Sequence, residues 1–285
     1  LLLSSFLLLT SFATKKTEKV DDEWYRTYQV VDNFVRVFYQ QNEYILLGNK
    51  NEKFHLVVIN KDGEIVKDIA SPIQNVYAMS MVKTLDGYVI TGYTLTHGVD
   101  VFVAKINENG DIEWQRTFGG DNDDWGIDII EDGKDYIVLG ETASFGKGWN
   151  DVWLIKIDKN GTEIWNKTYG GKDIDDLRHL SITVGGGFIM VGATMSYGEG
   201  ESDVFIVKTD SRGDIQWQKT FGGNNFDAGE SVIETENGYL VGGWTTSVGM
   251  GDALLIKIEK DGKIKWYKTF GNTTNHINDL VMGED

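Results

Sequence analysis

Cysteine is absent from this chain of 285 residues, which excludes disulfides and thiolate metal centres. Proline occurs once, so the turns fall to the 34 glycines. Basic residues are scarce: 27 Lys and Arg stand against 44 Asp and Glu, a net charge of −17. Such a surface repels phosphate backbones and argues against nucleic acid as a partner. Cations, glycans and neutral or basic proteins remain open. The apolar start, Leu1–Ala13, falls short of the roughly 20 residues of a membrane span. Ser11 and Ala13 match the small residues at −3 and −1 of a secretory cleavage site. An initiator Met and a basic n-region are missing. The start therefore reads as a clipped signal peptide over 1–13, followed by a linker over 14–21. A secreted or cell-envelope location is expected.

What the chain has is a repeat. Four copies of one phrase occur: Trp114-Gln-Arg-Thr-Phe-Gly-Gly, Trp165-Asn-Lys-Thr-Tyr-Gly-Gly, Trp217-Gln-Lys-Thr-Phe-Gly-Gly and Trp266-Tyr-Lys-Thr-Phe-Gly. The tryptophans are 51, 52 and 49 residues apart. A fixed period of this length means an array of like units. Within one period lie four short strands: Trp125–Glu131, Tyr136–Thr142, the alternating Val152–Ile157, and Glu163–Tyr169. Asp132-Gly133, the glycine-rich stretch Ser144–Asn150 and Asp158–Gly161 separate them. Four antiparallel strands per unit describe a propeller blade. The expected fold is an all-β propeller spanning 22–285. Its blades fall at about 30–70, 73–118, 122–169, 174–221 and 225–270, with a partial one at 276–285. Six or more blades are predicted, the last cut short. Trp24–Tyr28 matches the strand-d phrase and is expected to complete the final blade, which would remove an open edge. The unit at 30–70 is degenerate, with Lys67 where the others carry Trp.

Glycine precedes tryptophan by four residues throughout: Gly110 and Trp114, Gly161 and Trp165, Gly213 and Trp217, Gly262 and Trp266. The glycine closes the turn before strand d. The indole, like that of Trp24, is then free to pack on the neighbouring blade. Asp151-Val-Trp-Leu-Ile-Lys-Ile-Asp-Lys-Asn-Gly161 and its continuation to Gly171 resemble the units of secreted bacterial and archaeal β-propeller repeat proteins. The resemblance covers 73–271 best. These proteins are similar to the quinoprotein-like propeller group, whose repeat runs A-x-D-x-x-T-G-x-x-x-W. Ala104, Gly110 and Trp114 keep that spacing, while Asn107 stands one place late. The resemblance implies a fold and an exported location rather than a reaction.

In a propeller the d–a and b–c loops share one face. Here that face is the richer one. Its d–a loops carry Asp121, Asp123, Asp124 and Trp125, then Asp173, Asp175 and Asp176, then Asn224, Asn225 and Asp227. Its b–c loops carry Phe145, Trp149 and Tyr197, and each ends in aspartate: Asp100, Asp151, Asp203 and Asp252. Oxygen-rich acidic loops suit Ca²⁺, although the spacing is not that of a D-x-D-x-D-G loop. Asx turns opening strand c explain the same aspartates. Aromatic faces beside carboxylates suit sugars. The candidate ligand-binding residues are Asp124, Trp125, Trp149 and Tyr197.

Enzyme readings are thinner. A quinoprotein-like dehydrogenase rests on fold analogy alone. Asp210-Ser-Arg-Gly213-Asp-Ile-Gln-Trp217 resembles the Asp-box turn of sialidase-like hydrolases, but that turn is framework. Such enzymes need several arginines, and of the five here only Arg178 falls on the loop-rich face. His179 beside Asp175, Asp176 and Arg178 is the one mixed acid–base cluster, read as part of a loop. No catalytic residue and no resident cofactor are assigned. The leading expectation is a non-catalytic exported scaffold for a glycan, protein or surface polymer. An extracellular carbohydrate enzyme is the alternative.

Overall fold

The computed structural model describes residues 17–20, 23–26, 31–271 and 275–282. Every regular element among them is a β-strand. Strands β1 (Thr17–Val20) and β2 (Glu23–Arg26) form a two-stranded antiparallel sheet. The rest is five four-stranded antiparallel sheets in simple up-and-down order, the blades of a propeller. Blade 1 is β3 (Asn33–Gln40), β4 (Glu43–Lys50), β5 (Lys53–Asn60) and β6 (Ile65–Ala70). Blade 2 is β7 (Val76–Thr84), β8 (Gly87–Thr94), β9 (Asp100–Asn107) and β10 (Ile112–Phe118). Blade 3 is β11 (Asp124–Asp132), β12 (Asp135–Thr142), β13 (Asp151–Ile157) and β14 (Glu163–Tyr169). Blade 4 is β15 (Asp175–Ile182), β16 (Phe188–Thr194), β17 (Asp203–Thr209) and β18 (Ile215–Phe221). Blade 5 is β19 (Asp227–Thr235), β20 (Gly238–Thr245), β21 (Asp252–Ile258) and β22 (Ile264–Phe270).

First strands of successive blades touch one another, so they are innermost. The fourth strands lie outside and are largely exposed. The middle strands bury both faces, and alternation sends neighbouring side chains into different layers. In β16, Phe188 and Met190 join Leu154 and Tyr169 of blade 3, while Ile189 and Val191 join Val241 and Ile256 of blade 5. The core is thus a series of apolar layers between blades.

The repeated tryptophans seal these layers from outside. Trp114, Trp165 and Trp217 set their rings 6.5, 6.3 and 5.8 Å from Tyr136, Phe188 and Tyr239 of the following blade. The same rings lie over Gly161, Gly213 and Gly262 of that blade. A Cβ at Gly161 would fall 2.8 Å from the Trp114 ring, and φ there is +76°. Glycine is therefore needed twice over: for the left-handed turn and for the approach of the indole. In blade 1 the degenerate unit offers Ile69 to Gly110 instead. Upstream of Gly110, Gly161 and Gly213 an Asx residue fixes the turn, while Glu259 takes that place before Gly262. Asp158 Oδ1 accepts N–H groups from Asn160 and Thr162 at 2.8 Å each, and Asp210 does likewise from Arg212 and Asp214. The Asp-box-like residues therefore serve the framework.

Two stretches differ from expectation. Within Trp24–Tyr28, β2 pairs with β1, Trp24 opposite Lys19, and with no blade among the described residues. Part of the expected linker is thus a strand. Closing a hairpin across two residues costs little chain entropy compared with joining the far end of the chain. Leu1–Ala13 and Tyr28 lie outside the described residues. At the other end, the Asn275 N–H donates to Gly251 O at 2.7 Å. This repeats the contacts of Asp124 with Val99, Asp175 with Asn150 and Asp227 with Ser202. Residues 275–282 occupy the station of a sixth first strand without forming a ladder.

Replacing Trp165 by Ala is expected to cost about 2–4 kcal/mol, since its half-buried ring joins two blades. Trp149, 80% exposed, should cost under about 0.5 kcal/mol on the same change. Denaturant midpoints of the two variants check the order.

Candidate functional site

The loop-rich face is built on a repeated fastener. Asp124, Asp175 and Asp227 open the innermost strands and are fully buried. Their Oδ2 atoms accept N–H from Gly120, Gly171 and Gly223 at 2.9, 2.7 and 2.9 Å. They also accept the hydroxyls of Ser144, Ser196 and Ser247 at 2.7, 2.6 and 2.6 Å. From the other side come the aspartates that end the b–c loops. Asp151 Oδ2 accepts N–H from Lys147 and Gly148 at 2.6 and 2.8 Å, and Asp203 accepts Glu199 N–H at 2.7 Å. The two carboxylates flank the first glycine of the Gly-Gly pair. A Cβ on Gly170 would lie 2.0 Å from Asp151 Oδ1 and 2.7 Å from Asp175 Oδ2. Burial, followed by the charge of Asp124, pushes the Asp100 carboxyl up; burial and Asp227 act similarly on Asp203.

This geometry divides the four predicted binding residues. Asp124 belongs to the fastener, with no surface to offer a ligand. Tyr197 lies over blade 4, its ring 5.6 Å from Phe205 and its hydroxyl donating to Gly170 O at 2.7 Å. Trp125 and Trp149 share one space. With Asp121, Asn122, Asp123, Ala143 and Asn150 they line an open concavity of about 500 Å³. Asn122 is fixed there by bonds to Ser144 and Ala143.

Behind this concavity lies a polar cluster that sequence patterns did not reveal. Glu141 sits opposite Trp125 in the β11–β12 ladder. Its Oε2 accepts Asn150 Nδ2–H at 3.1 Å. Burial, reinforced by Asp176, pushes its pKa up to about 7. Each first strand carries a bulge: the ladder skips Val35, Met79, Ile127, Arg178 and Glu230. In blades 4 and 5 the skipped residues find each other, and Arg178 ion-pairs with Glu230. Arg178 also reaches Asp176 at 3.4 Å, and Trp244 Nε1–H donates to Glu230 at 2.9 Å. Asp175, Asp176 and Arg178, read as loop, are strand residues in β15. The sequence places Glu141 within the Tyr136–Thr142 strand and marks it no further. The available signal was a carboxylate where the other blades place Tyr93, Ala193 and Trp244.

The residues after the bulges form a second group, nearer the axis. Asp128 is bound by Arg36 at 3.0 Å and by the Ser80 hydroxyl at 2.7 Å, linking blades 1, 2 and 3. His179 Nδ1 accepts Val232 N–H at 3.3 Å, so the neutral ring carries its proton on Nε2. Burial holds the His179 pKa below the ordinary value, against the pull of Asp128. Ser231 Oγ–H donates to Asp279 at 3.0 Å. No group of three or more potential metal ligands occurs among the described residues. No helix there is long and apolar enough to cross a membrane.

No family model matches the chain. It is 25% identical over 198 residues to an uncharacterized protein of Aquifex aeolicus, and spans 54% of that protein's length and 66% of its own. Among solved structures it is similar to a subtype N10 neuraminidase-like protein of A/little yellow-shouldered bat/Guatemala. That match has a TM-score of 0.50 at 9% identity and covers 81% of this chain and 79% of the other. The apocarotenoid oxygenase of Synechocystis matches with a TM-score of 0.52 at 10% identity, over 81% of this chain and 59% of its own. A puromycin hydrolase does so with 0.52 at 10%, over 81% and 38%. At such identities the likeness extends to the propeller fold alone.

Glu141 generates a pH prediction. Its folded pKa is raised, so the native chain holds a proton that the unfolded chain has released. The stabilisation is fully present below the unfolded value of about 4.3 and is lost as pH rises through about 7. Glu141→Gln should therefore raise the melting temperature at about pH 8 and leave it nearly unchanged at about pH 4.5. His179 has the opposite sign. Its depressed pKa makes stability fall as pH drops below about 6.5. His179→Gln should flatten the acid side of the same curve.

Proposed function

We propose that this chain is an exported propeller scaffold that binds a glycan at its loop-rich face without transforming it. The observation that carries this reading is the concavity in which Trp125 and Trp149 stand beside Asp121, Asn122, Asp123 and Asn150. Exposed indole faces take the apolar faces of sugar rings, and short acidic and amide side chains take their hydroxyls. The volume suits a few rings rather than an extended protein surface. Export is supported by the apolar Leu1–Ala13 with Ser11 and Ala13.

One observation favours a second reading, hydrolysis of an extracellular carbohydrate. Glu141 holds its proton near neutrality and is one hydrogen bond from Asn150 at the concavity wall. A carboxyl so placed is suited to proton donation. Product release from a bound oligosaccharide, abolished by Glu141→Gln, would replace binding by catalysis.

The double variant Trp125→Ala, Trp149→Ala should weaken a glycan found by array screening about tenfold or more. A folded double variant with unchanged affinity would remove the site from this concavity.

A further inference from the structure

Three features of the concavity concern charge. The carboxylates of Asp121 and Asp123 are exposed and take no hydrogen bond or ion pair among the described residues. The third acid, Glu141, stands behind Asn150. No Lys, Arg or His side chain lines the space. Lys147, two residues before Trp149, is not among the lining residues, and Lys172 pairs with Asp173 at 3.8 Å. Arg178, the one guanidinium of this half of the face, is taken up by Asp176 and Glu230. The other large concavity, about 530 Å³, differs in this respect. It lies between blades 1, 2 and 3 on the opposite face, and its Lys83 and Glu108 already pair at 2.9 Å.

Unpaired carboxylates over an indole floor constitute a recognition surface for positive charge. An ammonium gains from the carboxylates and also from the ring face, where cation–π attraction adds to it. A uronic or sialic acid would instead bring a like charge to Asp121 and Asp123, with no free arginine to receive it. The net charge of −17 extends the same bias over longer range.

We propose that the ligand of this concavity is an amine-bearing sugar, a short glucosamine-type oligosaccharide whose ammonium groups lie between Asp121 and Asp123 while its rings cover Trp149 and Trp125. This rests on the glycan reading above and adds the charge that the glycan carries. Acetylation of the amine removes the charge and leaves the ring, so the two contributions separate chemically.

The test is titration of the full chain with glucosamine oligomers and with their N-acetylated counterparts at about pH 6, where an amine of the α-amino type keeps its proton. The amine form should bind more tightly, and added salt should weaken it more than the acetylated form. Asp121→Asn with Asp123→Asn, isosteric changes at exposed positions, should weaken the amine form roughly three- to thirty-fold and spare the acetylated one. Equal binding of both forms, untouched by the Asn changes but lost in Trp149→Ala, overturns the charge inference and keeps the glycan reading. Failure of both oligomers to bind the folded chain overturns the inference. Capture of a lysine-rich peptide instead, sensitive to the same Asn changes, would show that the acids serve a protein partner.

Discussion

Each middle strand of this chain buries both of its faces, and that requirement organises the rest of the molecule. A four-stranded sheet with two apolar faces cannot stand alone in water. Phe205 and Val207 need blade 3, and Val204 and Ile206 need blade 5, from a single strand. The blades are therefore stable as an array. The tryptophan–glycine contacts set how closely one blade approaches the next. Because Gly161 receives the Trp114 ring, and Gly213 that of Trp165, the spacing between blades is nearly constant. The turns can then be economical on one side.

The consequence for function is a division of labour between the two faces. On one side Asx turns use their carboxylates on their own backbone. On the other, Asp124, Asp175 and Asp227 lock the Gly-Gly corners to serine hydroxyls, and the loops beyond those corners are free to vary. The fastener is why acidic residues cluster there, and it accounts for much of what looked like a binding pattern. The residues left over, Asp121, Asp123, Trp125 and Trp149, differ in kind: none is consumed by the framework in the way Asp124 is.

The innermost strands add a second layer of polar chemistry. Their bulges displace one residue per blade from the ladder. In blades 1, 2 and 3 that residue is apolar; in blades 4 and 5 it is Arg178 and Glu230, which satisfy each other. Glu141 lacks a cation of its own. Desolvation consequently dominates, and the carboxyl retains its proton close to neutral pH. A group in that state is a liability for stability and a resource for chemistry.

The sequence by itself determined the architecture: period, four strands per unit and the glycine–tryptophan spacing suffice, because every unit states the same pattern and each repetition corroborates the last. It also named Trp125 and Trp149, which the structure brings to one concavity. Tertiary structure decided what single strands cannot express. Asp124 and Asp121 look alike in a linear pattern, and only burial separates a fastener from a free carboxylate. Trp24–Tyr28 carries the phrase of a fourth strand, yet β2 pairs with β1, since local closure competes with docking at a distance. Glu141, Asp176, Arg178 and Glu230 come from three strands of three blades, Asp176 and Arg178 sharing β15. Their meeting depends on bulges and on the approach of neighbouring blades, which are properties of packing across the chain rather than of any segment within it.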